Sequence, residues 1–242
     1  MYPSPYPAPF TSAHNRARIV KFLLVAGAII TTVSLLVETV SLAAPPLTEG
    51  QELGDNPMGA AVALIAFLLA LPEIIIYLAT VVFFCVWLYR AHRNLQAFRP
   101  AGGIEYSSGL AVGSFFIPFA NLVIPYRAVK ELWQKSGPPD EALFSEPGAP
   151  ALFPIWWTFW LLASFAGNLS MRLTLNEKVP DSSATVVSVA ASALSIVAAI
   201  CAYLVVDAID KRQEETSGKL DLGKFSGPPP PPPPNLQDVA FP

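Results

Sequence analysis

The chain has 242 residues, of which 53% are hydrophobic and only 14% are charged. A soluble domain is usually about a quarter charged, and the apolar residues here gather in long uncharged runs, so lipid is the expected solvent for much of the chain. The net charge of −3, without a dense lysine and arginine stripe, argues against a nucleic-acid partner. Cys85 and Cys201 both lie in apolar runs and match no ligand pattern, so we expect packing residues there, and neither a metal site nor a cofactor.

The N-terminal part combines a proline-rich tail with a first span. Four prolines fall within the first ten residues, which predicts that residues 1–15 form a disordered tail. The apolar run at residues 22–44 follows three basic residues. A cleaved signal peptide is the alternative, but its apolar core is typically about 7 to 15 residues long. The longer run here favours an uncleaved transmembrane helix.

The second apolar run, residues 58–88, is interrupted only by Glu73. As a helix it would be about 46 Å long at 1.5 Å per residue, whereas the hydrocarbon layer is about 30 Å thick. We therefore predict a span at residues 69–88, with a bend at Pro72 and residues 58–68 lying at or above the outer surface.

The third apolar segment, residues 109–124, is short for a span, at about 24 Å of helix. It contains Pro118 and Asn121, and Pro125 follows it directly. Residues 126–135 then place apolar side chains on one helical face and basic ones on the other, which is typical of an interfacial helix. Residues 109–135 are therefore predicted to form a re-entrant or interfacial hairpin.

Two further spans are expected at residues 151–171 and 184–206, and the last one is rich in serine and alanine, which favours close helix packing. Residues 207–242 are predicted to be a soluble, proline-rich tail. Its seven consecutive prolines, 228–234, are either a docking ligand for a partner protein or a plain spacer.

The positive-inside rule decides between four and five spans. If residues 109–124 return to the side they entered, thirteen basic residues lie inside and only Arg172 and Lys178 lie outside; if the segment crosses, the split is eight to seven. The thirteen are Arg16, Arg18, Lys21, Arg90, Arg93, Arg99, Arg127, Lys130, Lys135, Lys211, Arg212, Lys219 and Lys224. We predict an all-α membrane protein with four transmembrane helices in residues 16–206, both termini cytoplasmic, and five tryptophans in a belt at the inner face.

Several mixed motifs in this chain occur together in a known family. They are WLYRAHRNL at 87–95, SGLAVGSFFIPFANLVIPYR at 108–127, ELW at 131–133, PIWWTFW at 154–160 and, less specifically, IDKRQ at 209–213. In these motifs the chain resembles the bacterial membrane family called domain of unknown function 4328. The resemblance implies a multi-pass protein of the bacterial plasma membrane, and it supplies no activity and no catalytic residues.

Three polar residues inside apolar segments are the candidate site residues: Glu38, Glu73 and Asn121. Glu38 and Glu73 are both expected about one helical turn below the outer surface. They either face each other and hold a proton or cation, or reach separately to the outer headgroups. Asn121 either lines a solute path in a re-entrant loop or belongs to a structural hairpin, where it caps the following helix or ties the two breaks together. His92 is expected to contact solvent or headgroups, and His14 to lie in the disordered tail.

These observations favour a non-enzymatic scaffold or interaction protein that acts at the cytoplasmic face, because the basic helix, the tryptophans and the proline-rich tail are all expected there. The basic helix would contact anionic lipids or a protein partner. The alternative is a small solute or ion channel or transporter, which would require oligomerisation because four helices enclose little volume. An enzyme is not expected, because the sequence contains no nucleophile or metal motif.

Overall fold

The computed structural model describes residues 9–43, 55–100, 102–138, 148–176 and 180–222, and every regular element in these ranges is helical. The helices are α1 His14–Ala43, α2 Pro57–Phe98, α3 Ser108–Gly113, α4 Ile124–Lys135, α5 Leu152–Thr174 and α6 Asp181–Lys219. Four of them, α1, α2, α5 and α6, are long and apolar enough to cross a membrane. The predicted all-α class with four candidate spans is confirmed. The predicted disorder of residues 1–8 and 223–242, including the seven prolines, lies outside the described residues.

The four long helices pack in the order α2, α1, α6, α5. Gly27 of α1 faces Ile76 of α2, and a Cβ added there would be in ordinary van der Waals contact with Cγ2 of Ile76 at 3.6 Å. Over the spans most large apolar side chains are exposed, and α2 has no buried residue in its most apolar stretch. That pattern is expected of helices whose outer surface is solvated by lipid.

Helices α1, α2 and α6 continue well past the predicted spans at one end, where a compact unit is built that we call the head. It consists of residues 9–21, the end of α2 from Trp87, α3, α4, the start of α5 up to Trp160, and the end of α6 from Cys201. The large side chains with less than 2% exposure all lie in it. They are Trp87, Phe98, Phe153, Leu88, Leu95, Leu132, Ile209, His92, Val20, Val129, Val205 and Val206.

Three predicted boundaries differ from the structure. Helix α1 begins at His14, and Ala13 is buried, so the end of the predicted tail is packed. Helix α6 continues to Lys219, so residues 207–219 belong to the fold and not to a tail. Helix α2 runs unbroken through Pro72, which does not separate residues 58–68 from the span. A proline removes one backbone hydrogen bond, and the apolar residues on both sides keep this helix continuous.

The segment at residues 109–124 is not one helix. It comprises α3, a run of turns, and a 3-10 turn at Ala120–Leu122 before α4 begins, and among the described residues it is not a candidate span. At its tip Phe119 has φ 63° and ψ −40°, and the Ala120 amide donates to the Pro118 carbonyl at 2.7 Å. This is a γ-turn, a strained conformation for a residue with a side chain.

The tryptophans gather at one end of the bundle, where they pack in and around the head. Trp87, Trp156 and Trp157 are buried in the head, and Trp133 and Trp160 pack against its core. The indole rings contact one another and nearby phenylalanines, with Trp157 and Trp160 stacked at 4.6 Å between centroids. Apolar burial inside the head outweighs the preference of an isolated indole for headgroups.

Candidate functional site

Glu38 lies on α1 near the end of the bundle opposite the head, and it is half-buried. Two hydroxyls on α6 donate to its carboxylate, Ser188 at 2.6 Å and Ser192 at 3.0 Å. Because each oxygen of the carboxylate accepts one hydrogen bond, α1 and α6 are joined by a polar clamp within apolar surroundings. Ser188 also faces a crevice beside Glu38.

Glu73 on α2 has its own pair of donors. Thr31 Oγ1 and Ser34 Oγ, both on α1, each donate to its carboxylate at 3.1 Å. Each acid is therefore bound by hydroxyls of a neighbouring helix, an arrangement that neither sequence interpretation anticipated. The expected cost of a carboxylate at membrane depth is reduced because both oxygens are hydrogen-bonded.

Asn121 does not cap the helix that follows it. Helix α4 begins at Ile124, its capping residue is Val123, and no side-chain hydrogen bond caps it. The Asn121 backbone amide donates to the Ile117 carbonyl at 3.0 Å and so helps to close the turn. The capping interpretation is therefore wrong, because α4 begins at Ile124, two residues earlier than predicted, and Val123 occupies the capping position.

The head contains a buried acid that sequence reasoning missed. Glu131 on α4 accepts hydrogen bonds from the backbone amides of Glu105 and Tyr106, the latter at 3.1 Å. The Nε2 atom of His92 lies 3.6 Å from the same carboxylate and is buried without a hydrogen bond among the described residues. Burial alone would raise the pKa of Glu131, but His92 and the two amides outweigh it, so its pKa lies below the ordinary value. His92 is thus not a headgroup contact as predicted.

A second polar network joins α2, α4 and α6 inside the head. Gln213 donates to the Ala91 carbonyl at 2.8 Å and to Ser136 Oγ at 3.0 Å, and it accepts from Asn94 Nδ2 at 3.2 Å. Asn94 in turn accepts from the backbone amide of Thr11 at 3.3 Å. Because these groups are buried, each bond replaces one to water, and the network fixes the positions of the three helices.

Charged side chains link the start of α1 to the end of α6. Lys21 Nζ lies 2.8 Å from Asp207 and 3.6 Å from Asp210, and His14 Nδ1 lies 2.9 Å from Asp210. Hydrogen bonds from Lys21 and Lys211 hold the pKa of Asp207 below its usual range. The prediction that His14 lies in a disordered tail is wrong, because this partner on α6 was not visible in the sequence.

The hairpin between α3 and α4, residues 114–123, is fixed to the head by aromatic contacts. Trp157 Nε1 donates to the Leu122 carbonyl at 3.0 Å. The ring of Phe115 packs edge-on against Phe84, Trp157 and Trp160. Nearby, the Arg212 guanidinium lies 4.5 Å from the ring centre of Trp133, a distance that is typical of a cation–π contact.

Several residues of these networks lie within the motifs that carried the family resemblance, namely His92, Asn94, Glu131, Arg212 and Gln213. The signal that could have identified them was the occurrence of polar side chains inside otherwise aromatic and apolar motifs. Such residues are retained inside a core only when partners satisfy them.

Searches of curated proteins and of solved structures each found no match to the chain. A family model described as "Domain of unknown function (DUF4328)" matches residues 53–211. The matched region contains α2 to α5 and most of α6, and therefore most of the head. The chain belongs to this DUF4328 family.

Proposed function

We propose that this protein crosses the bacterial plasma membrane four times, with both termini and the head on the cytoplasmic side, and that it is a non-enzymatic interaction scaffold working through the head. The observation that carries the proposal is the uneven packing of the molecule. The spans bury few side chains, whereas the head buries its aromatic rings and two polar networks. A well-packed unit at one end of lipid-facing helices is suited to presenting a surface.

The charge of the head supports its placement at the inner face. Twelve described basic residues lie on this side, while Arg172 is at the other end. Several of the twelve, including Arg18, Arg93 and Arg127, are exposed. Basic residues are enriched on the cytoplasmic side of membrane proteins and attract the anionic lipids of that leaflet. The head is therefore expected to lie against anionic headgroups.

The hairpin between α3 and α4 is proposed to enter the inner leaflet and return. At its tip the exposed fraction of the residue is 86% for Phe119, 66% for Phe116 and 48% for Ile117. Phe115, directly before the tip, contacts Phe84 within the predicted span of α2. Large apolar side chains at this depth are stabilised by acyl chains and would be costly to expose to water.

Site-specific photo-crosslinking in living cells tests the scaffold proposal. A photoreactive residue at Arg93, exposed on the head, should give discrete protein adducts. The matched position is Leu175, which is 71% exposed at the other end of the bundle and should give none. A head that presents no binding surface would give no adducts at Arg93 or at Arg127, and that outcome would remove the proposal.

The second candidate is a small channel or transporter, and it is favoured by one observation, the polar crevice beside Glu38. Solute or ion flux into liposomes containing the purified protein tests it. A transport role through this crevice predicts flux that falls in Glu38→Gln, whereas the absence of flux in the unaltered protein would remove this candidate.

A further inference from the structure

A polar crevice of about 300 Å³ opens between α1, α5 and α6, at the end of the bundle opposite the head. It is lined by Glu38, Ser41, Ser170, Thr174, Ala184, Thr185 and Ser188. Six of these seven residues carry a side-chain oxygen, although all of them lie near the ends of helices that are otherwise apolar. A concave site with several converging polar groups is the usual geometry of a ligand site.

Four of the five hydroxyls that line the crevice already donate within the protein. Ser41 donates to the Glu38 carbonyl at 2.7 Å, and Ser188 donates to the Glu38 carboxylate at 2.6 Å. Ser170 donates to the Ala184 carbonyl at 3.3 Å, and Thr174 donates to the Ser170 carbonyl at 3.0 Å. A hydroxyl has one O–H and two lone pairs, so these four side chains offer only acceptors to a ligand.

Glu38 makes the crevice negative. Ser188 and Ser192 donate to its two different oxygens. A carboxylate has about four lone-pair positions, so further acceptor capacity remains. Among the residues that the structure describes, Glu38 is the one charged side chain in the lining. A negative, acceptor-rich site selects a cation that brings its own donors.

We propose that this crevice binds a primary ammonium group. An ammonium supplies three N–H donors to acceptors that have no donor of their own. The crevice holds roughly ten waters at about 30 Å³ each, which leaves room for carbon atoms attached to the nitrogen and is far larger than a bare alkali ion. The ammonium comes either from the headgroup of an aminophospholipid in the adjacent leaflet or from a small free amine.

The test uses the purified full-length protein in nanodiscs with equal amounts of phosphatidylethanolamine and phosphatidylcholine. The two headgroups have the same charge, but the choline nitrogen has no N–H. Native mass spectrometry of the released protein should show phosphatidylethanolamine retained over phosphatidylcholine by about tenfold, equivalent to about 1.4 kcal/mol. The preference should disappear in Glu38→Gln, because the amide removes the charge and introduces donors.

Glu73→Gln is the matched control, since it makes the same chemical change at an acid that is bound by Thr31 and Ser34 and does not line the crevice. Its lipid preference should equal that of the unaltered protein. Ser170→Leu, which fills the crevice and keeps the Glu38 clamp, should abolish the preference if Glu38→Gln does not fold. If the preference for phosphatidylethanolamine were lost equally in Glu38→Gln and in Glu73→Gln, the proposal would be overturned.

A second arm distinguishes the two sources of the ammonium. Ethanolamine titrated onto the protein in nanodiscs that contain only phosphatidylcholine should bind, and the binding should be lost in Glu38→Gln. Binding of ethanolamine without any lipid preference identifies a free amine as the ligand. If the unaltered protein neither prefers phosphatidylethanolamine nor binds ethanolamine, the crevice is not an ammonium site.

Discussion

Replacing Glu131 by glutamine should weaken the attachment of Glu105 and Tyr106, just before α3, to the head. The carboxylate is 7% exposed and accepts the backbone amides of Glu105 and Tyr106 beside His92. A glutamine keeps one acceptor oxygen, but its NH₂ group faces a donor. Hydrogen bonds to a charged group contribute about 1.5 to 3 kcal/mol each, so the segment should lose roughly 2 to 4 kcal/mol of local stability.

Hydrogen exchange measured by mass spectrometry reports this change directly. A loss of 2 to 4 kcal/mol corresponds to amide exchange that is roughly thirtyfold to several hundredfold faster at Glu105 and Tyr106. Glu215→Gln is the control, because Glu215 is an exposed acid of the head and the same substitution there should change nothing in this segment. Unchanged exchange at both amides in Glu131→Gln would refute the reasoning.

The hydrogen bonds between the Glu131 carboxylate and the two backbone amides should depend on pH in a defined direction. The pKa of Glu131 lies below the 4.5 that is ordinary for this side chain, so it is lower in the folded protein than in the unfolded one. The carboxylate therefore stabilises the fold above about pH 4.5, and this contribution is lost as the pH falls through the lowered pKa. After correction for intrinsic rates, protection of the two amides should be constant from about pH 7 to 5 and should decrease in stronger acid.

Three further substitutions test other contacts. Gln213→Ala removes the partner of the buried Asn94 Nδ2 atom and one of the two partners of Ser136 Oγ, and it should cost about 2 to 4 kcal/mol, seen as a lower midpoint of thermal unfolding by tryptophan fluorescence; an unchanged midpoint would contradict the network. Lys21→Met should cost about 1 kcal/mol by the same assay; because the pKa of Asp207 is lowered from 3.8, the difference from the unaltered protein should persist above that pH and vanish in stronger acid. Combining Thr31→Val with Ser34→Ala removes both donors from Glu73 and should destabilise the protein by about 2 kcal/mol, and Glu73→Leu in the same background should restore most of it.

The four spans were predictable because each requires about 20 apolar residues in a row, and that signal is local. The ends of the helices were not. The segment from Asp207 to Lys219 is polar and was assigned to a tail, but it is helical because Ile209, Gln213 and Thr216 are buried against other parts of the head. Burial of this kind depends on partners that are distant in sequence, and a hydropathy run does not reveal them.

The candidate site could be predicted only in part, because the partners of its residues are also distant in sequence. An acid in an apolar run is conspicuous, so Glu38 and Glu73 were identified from the sequence. The donors to Glu38, however, lie about 150 positions away on α6, and the serines there were interpreted only as small packing residues. Glu131 was missed because its position in a short amphipathic helix resembles that of any solvated acid.

The most direct test of the proposed architecture is the side of the membrane on which the segment between α4 and α5 lies. Gly148 is exposed in that segment, and Gly148→Cys can be made with Cys85 and Cys201 replaced by alanine. A membrane-impermeant maleimide applied to intact cells should label Leu175→Cys, which lies on the opposite side, and should label Gly148→Cys only after permeabilisation. Labelling of Gly148→Cys in intact cells would mean that residues 109–124 cross the membrane, in contradiction to the four-span account.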